Sequence, residues 1–155
     1  MLKCALALGA LVVMAALAHA EDPFVGTWTL DPARSQFDPN HHPLSATMTF
    51  TVEADGAYLL QAEGTKEGGQ RVKEKPQRFL PDGQPRPIPD LPGLSGVATR
   101  PDPRTLRGEV RREDGSLVGS GTYVVSPDGR SMTATTEGID AQFRPFKQVT
   151  VWERQ

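Results

Sequence analysis

Few residues in this chain have the type and spacing to do chemistry. The adjacent pair His41-His42, with Asp38 nearby, is the one cluster of metal-ligating side chains. A zinc site needs three or four ligands converging on one centre, and neighbouring residues rarely aim at one point. The third histidine, His19, and the sole cysteine, Cys4, both fall in the apolar N-terminal stretch. No metal and no cofactor are therefore expected. A Ser-His-Asp relay would have to use His41 or His42, which sit in a loop-like setting between Pro39 and Pro43. Paired carboxylates can do acid–base work, but the 19 acidic residues are spread evenly and no pair stands out. Gly119-Ser120-Gly121 is not a phosphate loop: it lies within a strand-like run, where glycine marks a bulge or a tight bend. The expectation is a non-catalytic protein.

The N-terminus explains why those groups are so few. Met1-Leu2-Lys3 is a positive start, Cys4 to Ala18 is unbroken apolar sequence, and Ala18-His19-Ala20 fits the small-x-small cleavage rule. The apolar stretch is shorter than the roughly 20 residues of a bilayer span, and Glu21-Asp22-Pro23 follows at once. A lipid-bearing cysteine would follow the apolar region, whereas Cys4 begins it. Residues 1–20 thus read as a cleaved signal peptide, and 21–155 as a single mature domain, periplasmic or secreted. Cleavage takes Cys4 and His19 with it, so no disulfide can form. The formal charge of −2 becomes one unit more negative without Lys3. A balance so near neutral points to no nucleic-acid partner and no polybasic membrane contact, and a monomer is expected.

The elements of that domain are strands. Period-2 alternation recurs, as in Met48, Phe50, Val52 against Thr47, Thr49, Thr51. It recurs in Leu106, Gly108, Val110 and again in Met132, Ala134, Thr136. The strand segments expected are 24–30, 45–53, 57–64, 70–79, 94–100, 105–112, 116–125, 130–137 and 146–153. Four Asp-Gly pairs, at 55–56, 82–83, 114–115 and 128–129, supply turn chemistry, and three of them join adjacent strands as hairpins. Asp31-Pro32 predicts one helical turn through Ser35, with Asp31 as its cap. The stretch Pro81–Pro103 holds seven of the 14 prolines. Proline cannot donate to a ladder, so this reads as a long connection with extended pieces.

Gly26-Thr27-Trp28 on the first strand is similar to the Gly-x-Trp signature of lipocalins. In that family the tryptophan closes the base of the barrel and a basic residue near the last strand packs over its ring. Arg154 is similar to that partner, and a guanidinium over an indole is a cation–π contact. The longer stretches Phe24–Ser35 and Val125–Thr133 resemble a group of small exported bacterial proteins described as lipocalin-like. The resemblance implies an all-β, up-and-down antiparallel barrel of about eight strands. An open β-sandwich is the alternative. Departures from the family pattern are the shorter chain, the lack of a disulfide, and no clear helix before the last strand.

Trp28 shares a strand face with Phe24, Gly26 and Leu30, and reads either as a pocket floor or as a plug at the closed end. Met48, Phe50, Tyr58, Leu60, Phe79, Tyr123 and Met132 are the other inward residues. They would line a cavity if one exists and pack a core if not. Glu74 and Arg78 share a phase with Val72 and read equally as lumen or surface. Arg107, Glu109, Arg111 and Glu113 read as a solvated outer face with cross-strand ion pairs. The function expected is an exported, non-catalytic module for a small, largely apolar ligand. The alternative is a structural or interaction protein of the cell envelope with a filled barrel. In that case Pro81–Pro103 would be the contact surface, and Pro85–Gly93 could be deleted without loss of the fold.

Overall fold

The computed structural model describes residues 21–40, 42–140 and 142–155. The expected signal peptide and His41 lie outside the described residues. The alternating runs form eleven strands: β1 Gly26–Gln36, β2 Ser45–Val52, β3 Tyr58–Thr65, β4 Arg71–Lys73, β5 Gln77–Phe79, β6 Arg86–Pro87, β7 Leu94–Asp102, β8 Thr105–Arg112, β9 Leu117–Val125, β10 Ser131–Ile139 and β11 Pro145–Arg154. Eight of them have eight residues or more, which is the count expected. The three short strands raise the total. All pairs are antiparallel, and the sheet runs β4-β3-β2-β1-β11-β10-β9-β8-β7-β6, with β5 also on β3.

The segment expected as one strand, 70–79, breaks around Pro76. Val72 pairs with Gly64 in β4, whereas Phe79 pairs with Tyr58 in β5. Residues Glu74 to Pro76 bulge between these ladders, with the Glu74 N–H donating to the Ala62 carbonyl at 2.9 Å. The bulge shifts the phase by one, so Val72 and Phe79 both share the inner face. Arg78 consequently faces outward, where it pairs with Glu53 and Asp55.

From β5 the chain crosses to the far edge of the sheet. Asp82 bridges Thr99, the Gly83 N–H donates to the Ala98 carbonyl at 2.8 Å, and Arg86–Pro87 pairs with Ser95–Gly96. Residues 77–87 therefore strap β3 to β7. Closure is not a continuous ladder, since Pro81, Pro85 and Pro87 have no N–H to donate. Arg86 and Asp82 fork together at 2.7 Å within the strap. The segment Pro85–Gly93, expected to be dispensable for the fold, contains β6 and the turn into β7.

The helical turn expected at Asp31–Ser35 is instead an irregular part of β1. Asp31 does cap locally, accepting the Ala33 and Arg34 N–H groups at 3.0 and 3.2 Å. The segment stays in the sheet because the Ser35 hydroxyl accepts the Val151 N–H at 2.9 Å, filling the ladder gap between Asp31 and Gln36. The Asp-Gly hairpins form at 55–56, 114–115 and 128–129. Each aspartate accepts the N–H two residues on, from Ala57, Ser116 and Arg130. The outer charges of β8 pair along the strand, Arg107 and Arg111 both meeting Glu109, and not across strands as expected.

Register sorts the inner face of β7–β11 into layers. At the base, Leu30, Trp152, Met132 and Val125 lie in one row. Above it comes Leu106–Tyr123–Ala134–Thr150, then Ala98–Gly108–Gly121–Thr136–Gln148, then Gly96–Val110–Gly119–Gly138–Phe146. The base row is buried, as is the second except for Tyr123, and every residue of the upper two rows is half-buried.

Candidate functional site

The base of the barrel is a packed plug. Trp28 is 0% exposed. Its Nε1–H donates to the Phe24 carbonyl at 3.0 Å, and the Arg154 guanidinium sits 4.3 Å from the ring centre. The contact expected from the Gly-x-Trp strand is thus present. Arg154 also donates to the carbonyls of Val25 at 2.7 Å, Gly129 at 2.8 Å, and Pro23. Gly26 has a φ of 133°, and a Cβ there would lie 2.7 Å from Arg154 Nη1. Glycine is needed at that position for both reasons.

The structure brings all eight candidate lining residues into one cluster. Trp28, Met48, Phe50, Tyr58, Leu60 and Met132 are buried together, and Phe79 and Tyr123 pack against them. Phe50 is the pivot: its ring lies 6.0 Å from Phe24, 6.5 Å from Tyr58 and 5.9 Å from Tyr123. Phe79 stacks on Tyr58 at 5.5 Å. Edge-to-face and stacked pairs of this kind add to simple burial. At the depth of Phe50 and Trp28 the interior is filled by side chains.

A polar latch seals one side of this plug. The Tyr58 hydroxyl donates to Asp22 Oδ2 at 2.5 Å, and Arg100 Nη1 reaches the same oxygen at 2.6 Å. Arg100 Nη2 donates to the Pro103 carbonyl at 2.7 Å. Burial works against the Asp22 charge, but hydrogen bonds from Tyr58 and the Phe24 N–H, with Arg100 beside them, hold its carboxyl below the usual value. Burial first, then the bond to Asp22, pushes the Tyr58 hydroxyl up. Tyr123 is pushed up by burial and, secondarily, by the charge of Glu74, whose own side chain is exposed.

Toward the other end the inner wall changes character. The side chains dwindle to Ala98, Gly108 and Gly121 in one row and Gly96, Gly119 and Gly138 in the next. Ala46, Ala62 and Gly64 hold the corresponding inner positions of β2 and β3. A Cβ added at Gly108 would meet nothing within 4 Å. Gly119 and Gly138 serve a different purpose, because a Cβ at Gly138 would lie 2.9 Å from the Gly119 Cα. There the two backbones approach closely, beside the bulge at Val118 where β9 slips against β8, one of the two irregularities expected of these glycines. This glycine wall went unrecognised as a site in the sequence, although Gly108 stands in phase between Leu106 and Val110.

His42 lies against Phe37, ring centres 4.4 Å apart. Among the described residues no group of three or more His, Cys, Asp and Glu side chains could hold a metal ion.

A plugged base, up-and-down strands and a strap across the sheet edges define an all-β antiparallel barrel. No protein-family model matches the chain, and no curated protein matches it in sequence. Its fold is similar to that of the fluorescent protein UnaG, with a TM-score of 0.58 at 13% identity over 85% of this chain and 97% of that one. It is also similar to zebrafish ileal bile acid-binding protein complexed with cholic acid, with a TM-score of 0.54, 11% identity, and 86% and 99% of the two chains covered. As-p18, an extracellular fatty acid binding protein, gives 0.50 at 16% identity over 86% and 97%. At these identities the likeness is one of fold.

Proposed function

We propose that this chain is an exported, non-catalytic module that binds a small, largely apolar molecule in the open half of its barrel. The observation that carries the reading is the change in the inner wall from large side chains at the base to glycine and alanine above. A barrel of about eight strands has an interior just wide enough for side chains to fill or for one small ligand. The room lies at Gly108, which faces open space, whereas a Cβ at Gly121 would meet Thr136 and Tyr123 and one at Gly96 would meet Ile88, at 3.5 to 3.6 Å. Pockets for small molecules are mostly apolar with a few placed polar groups, and this wall has that composition. The solved barrels of like fold include one complexed with cholic acid and one named as a fatty acid binding protein, which is consistent with such a role. Export rests on the residue pattern of 1–20.

An environment-sensitive apolar fluorophore titrated into the purified protein tests this. The expected result is saturable binding at one site per chain. Linear, non-saturating fluorescence would count against any interior site.

A further inference from the structure

One row of the inner wall carries more than space. Across β7 to β11 the register aligns Ala98, Gly108, Gly121, Thr136 and Gln148 as successive neighbours. The first three present almost no side chain. The last two present a hydroxyl and an amide, and Thr136 Oγ1 and Gln148 Oε1 are both shielded from solvent and without a hydrogen-bond partner among the described residues. One layer nearer the base, the Thr150 hydroxyl occupies the equivalent inner position and is satisfied twice. It donates to the Ala134 carbonyl at 3.4 Å and accepts from Trp152 Nε1 at 2.9 Å. The barrel therefore pairs its inner polar groups where it is plugged and leaves them unpaired where its wall is glycine.

Buried polar atoms almost always have a partner, and one left without is costly. Thr136 and Gln148 are direct neighbours on paired strands, within the span that one bridging polar group covers. A hydroxyl matches both: it donates to Gln148 Oε1 and accepts from the Thr136 hydroxyl. A single N–H donates to only one of the two atoms at a time. A carboxylate does not fit, because a buried anion needs a cation. The inward guanidiniums at the base are already engaged. Arg100 holds Asp22, Tyr58 and Pro103, and Arg154 holds Pro23, Val25 and Gly129. Arg112, in inner phase at the mouth, is exposed and bonded to Ser116. Glu74 adds negative charge on the Tyr123 side.

We infer that the ligand is an uncharged, largely apolar molecule bearing a hydroxyl, which is held between Thr136 and Gln148. The inference deepens the binding reading above and rests on it.

Three near-isosteric probes separate the possibilities: 2-naphthol, 2-methylnaphthalene and 2-naphthoate, each competed against the apolar fluorophore at pH 7. The wild-type protein should bind 2-naphthol about tenfold tighter than either of the others, the size expected of one hydrogen bond. In T136V/Q148M that preference should vanish, 2-naphthol binding no tighter than 2-methylnaphthalene. The thermal midpoint should hold or rise, because the unpaired atoms are gone. The single variants T136V and Q148M, each a smaller perturbation, should each lose part of the preference. Equal binding of all three probes, tighter binding of 2-naphthoate, or a preference that survives in T136V/Q148M would overturn the hydroxyl assignment and leave apolar binding intact. If the fluorophore itself does not bind saturably, the binding reading fails and this inference fails with it.

Discussion

Arg154, next to the last residue of the chain, lies over Trp28, the eighth residue of the described structure, with 4.3 Å between guanidinium and ring centre. The same guanidinium donates to three backbone carbonyls, of Pro23, Val25 and Gly129. One side chain thus ties the start of β1, the β9–β10 hairpin and the end of β11 together over the plug. Arg154→Ala should cost about 2–4 kcal/mol in urea unfolding, from the lost cation–π contact and charged hydrogen bonds. Arg154→Lys should recover little of this, since an ammonium cannot fork to several carbonyls while stacking. A loss below about 0.5 kcal/mol, the scale of an ordinary surface substitution, would mean the contact is ornamental.

Phe50 is the pivot of the aromatic cluster and is wholly buried. Phe50→Ala should destabilise by about 3–5 kcal/mol through lost burial and the cavity left behind. Chemical denaturation measures it directly.

The Asp22 latch makes a pH prediction. Its folded-state pKa lies below the ordinary value of 3.8. The stability it contributes is therefore fully present above that ordinary value and is lost as pH falls through the lowered one. The difference in thermal midpoint between wild type and Asp22→Asn should be constant from about pH 5 upward, clear of the ordinary range, and shrink under more acid conditions. A gap that widens with acid would contradict the latch.

Replacing Pro85–Gly93 by a flexible linker removes β6 and one end of the strap between β3 and β7. The unfolding midpoint should fall and amide exchange should accelerate at β7 and β3, whose edges the strap covers. Unchanged protection at both strands would show that the barrel closes without it.

Much of this was legible in the sequence because burial imposes a period. The runs around Met48, Leu106 and Met132 alternate cleanly, and each became a strand with that phase inward. Gly26-Thr27-Trp28 and Arg154 pointed to each other across the whole chain. Local signals misled where the ladder overrode them. Asp31 caps as its type suggests, yet the Ser35 hydroxyl substitutes for a missing ladder partner and keeps the segment in β1. Pro76 inserts a bulge that shifts phase, so Arg78 could not be placed by counting from Val72. Thr136 faces Gln148, and Gly121 lies between Thr136 and Gly108, across three consecutive hairpins. Their register is set by the turn geometry and a bulge in β9, which alternation of residue types alone does not encode.

The central claim is that the glycine wall leaves room for a ligand, and Gly108 tests it most directly. A Cβ there meets no atom within 4 Å, so Gly108→Leu should fold and place its side chain in that space. The apolar fluorophore should be titrated into wild type and Gly108→Leu side by side, with thermal melts of both. Saturable binding by wild type, at least about tenfold weaker binding by the variant, the equivalent of about 1.4 kcal/mol, and closely similar melting points are expected. Equal binding by the two proteins, or none by wild type, would contradict that claim.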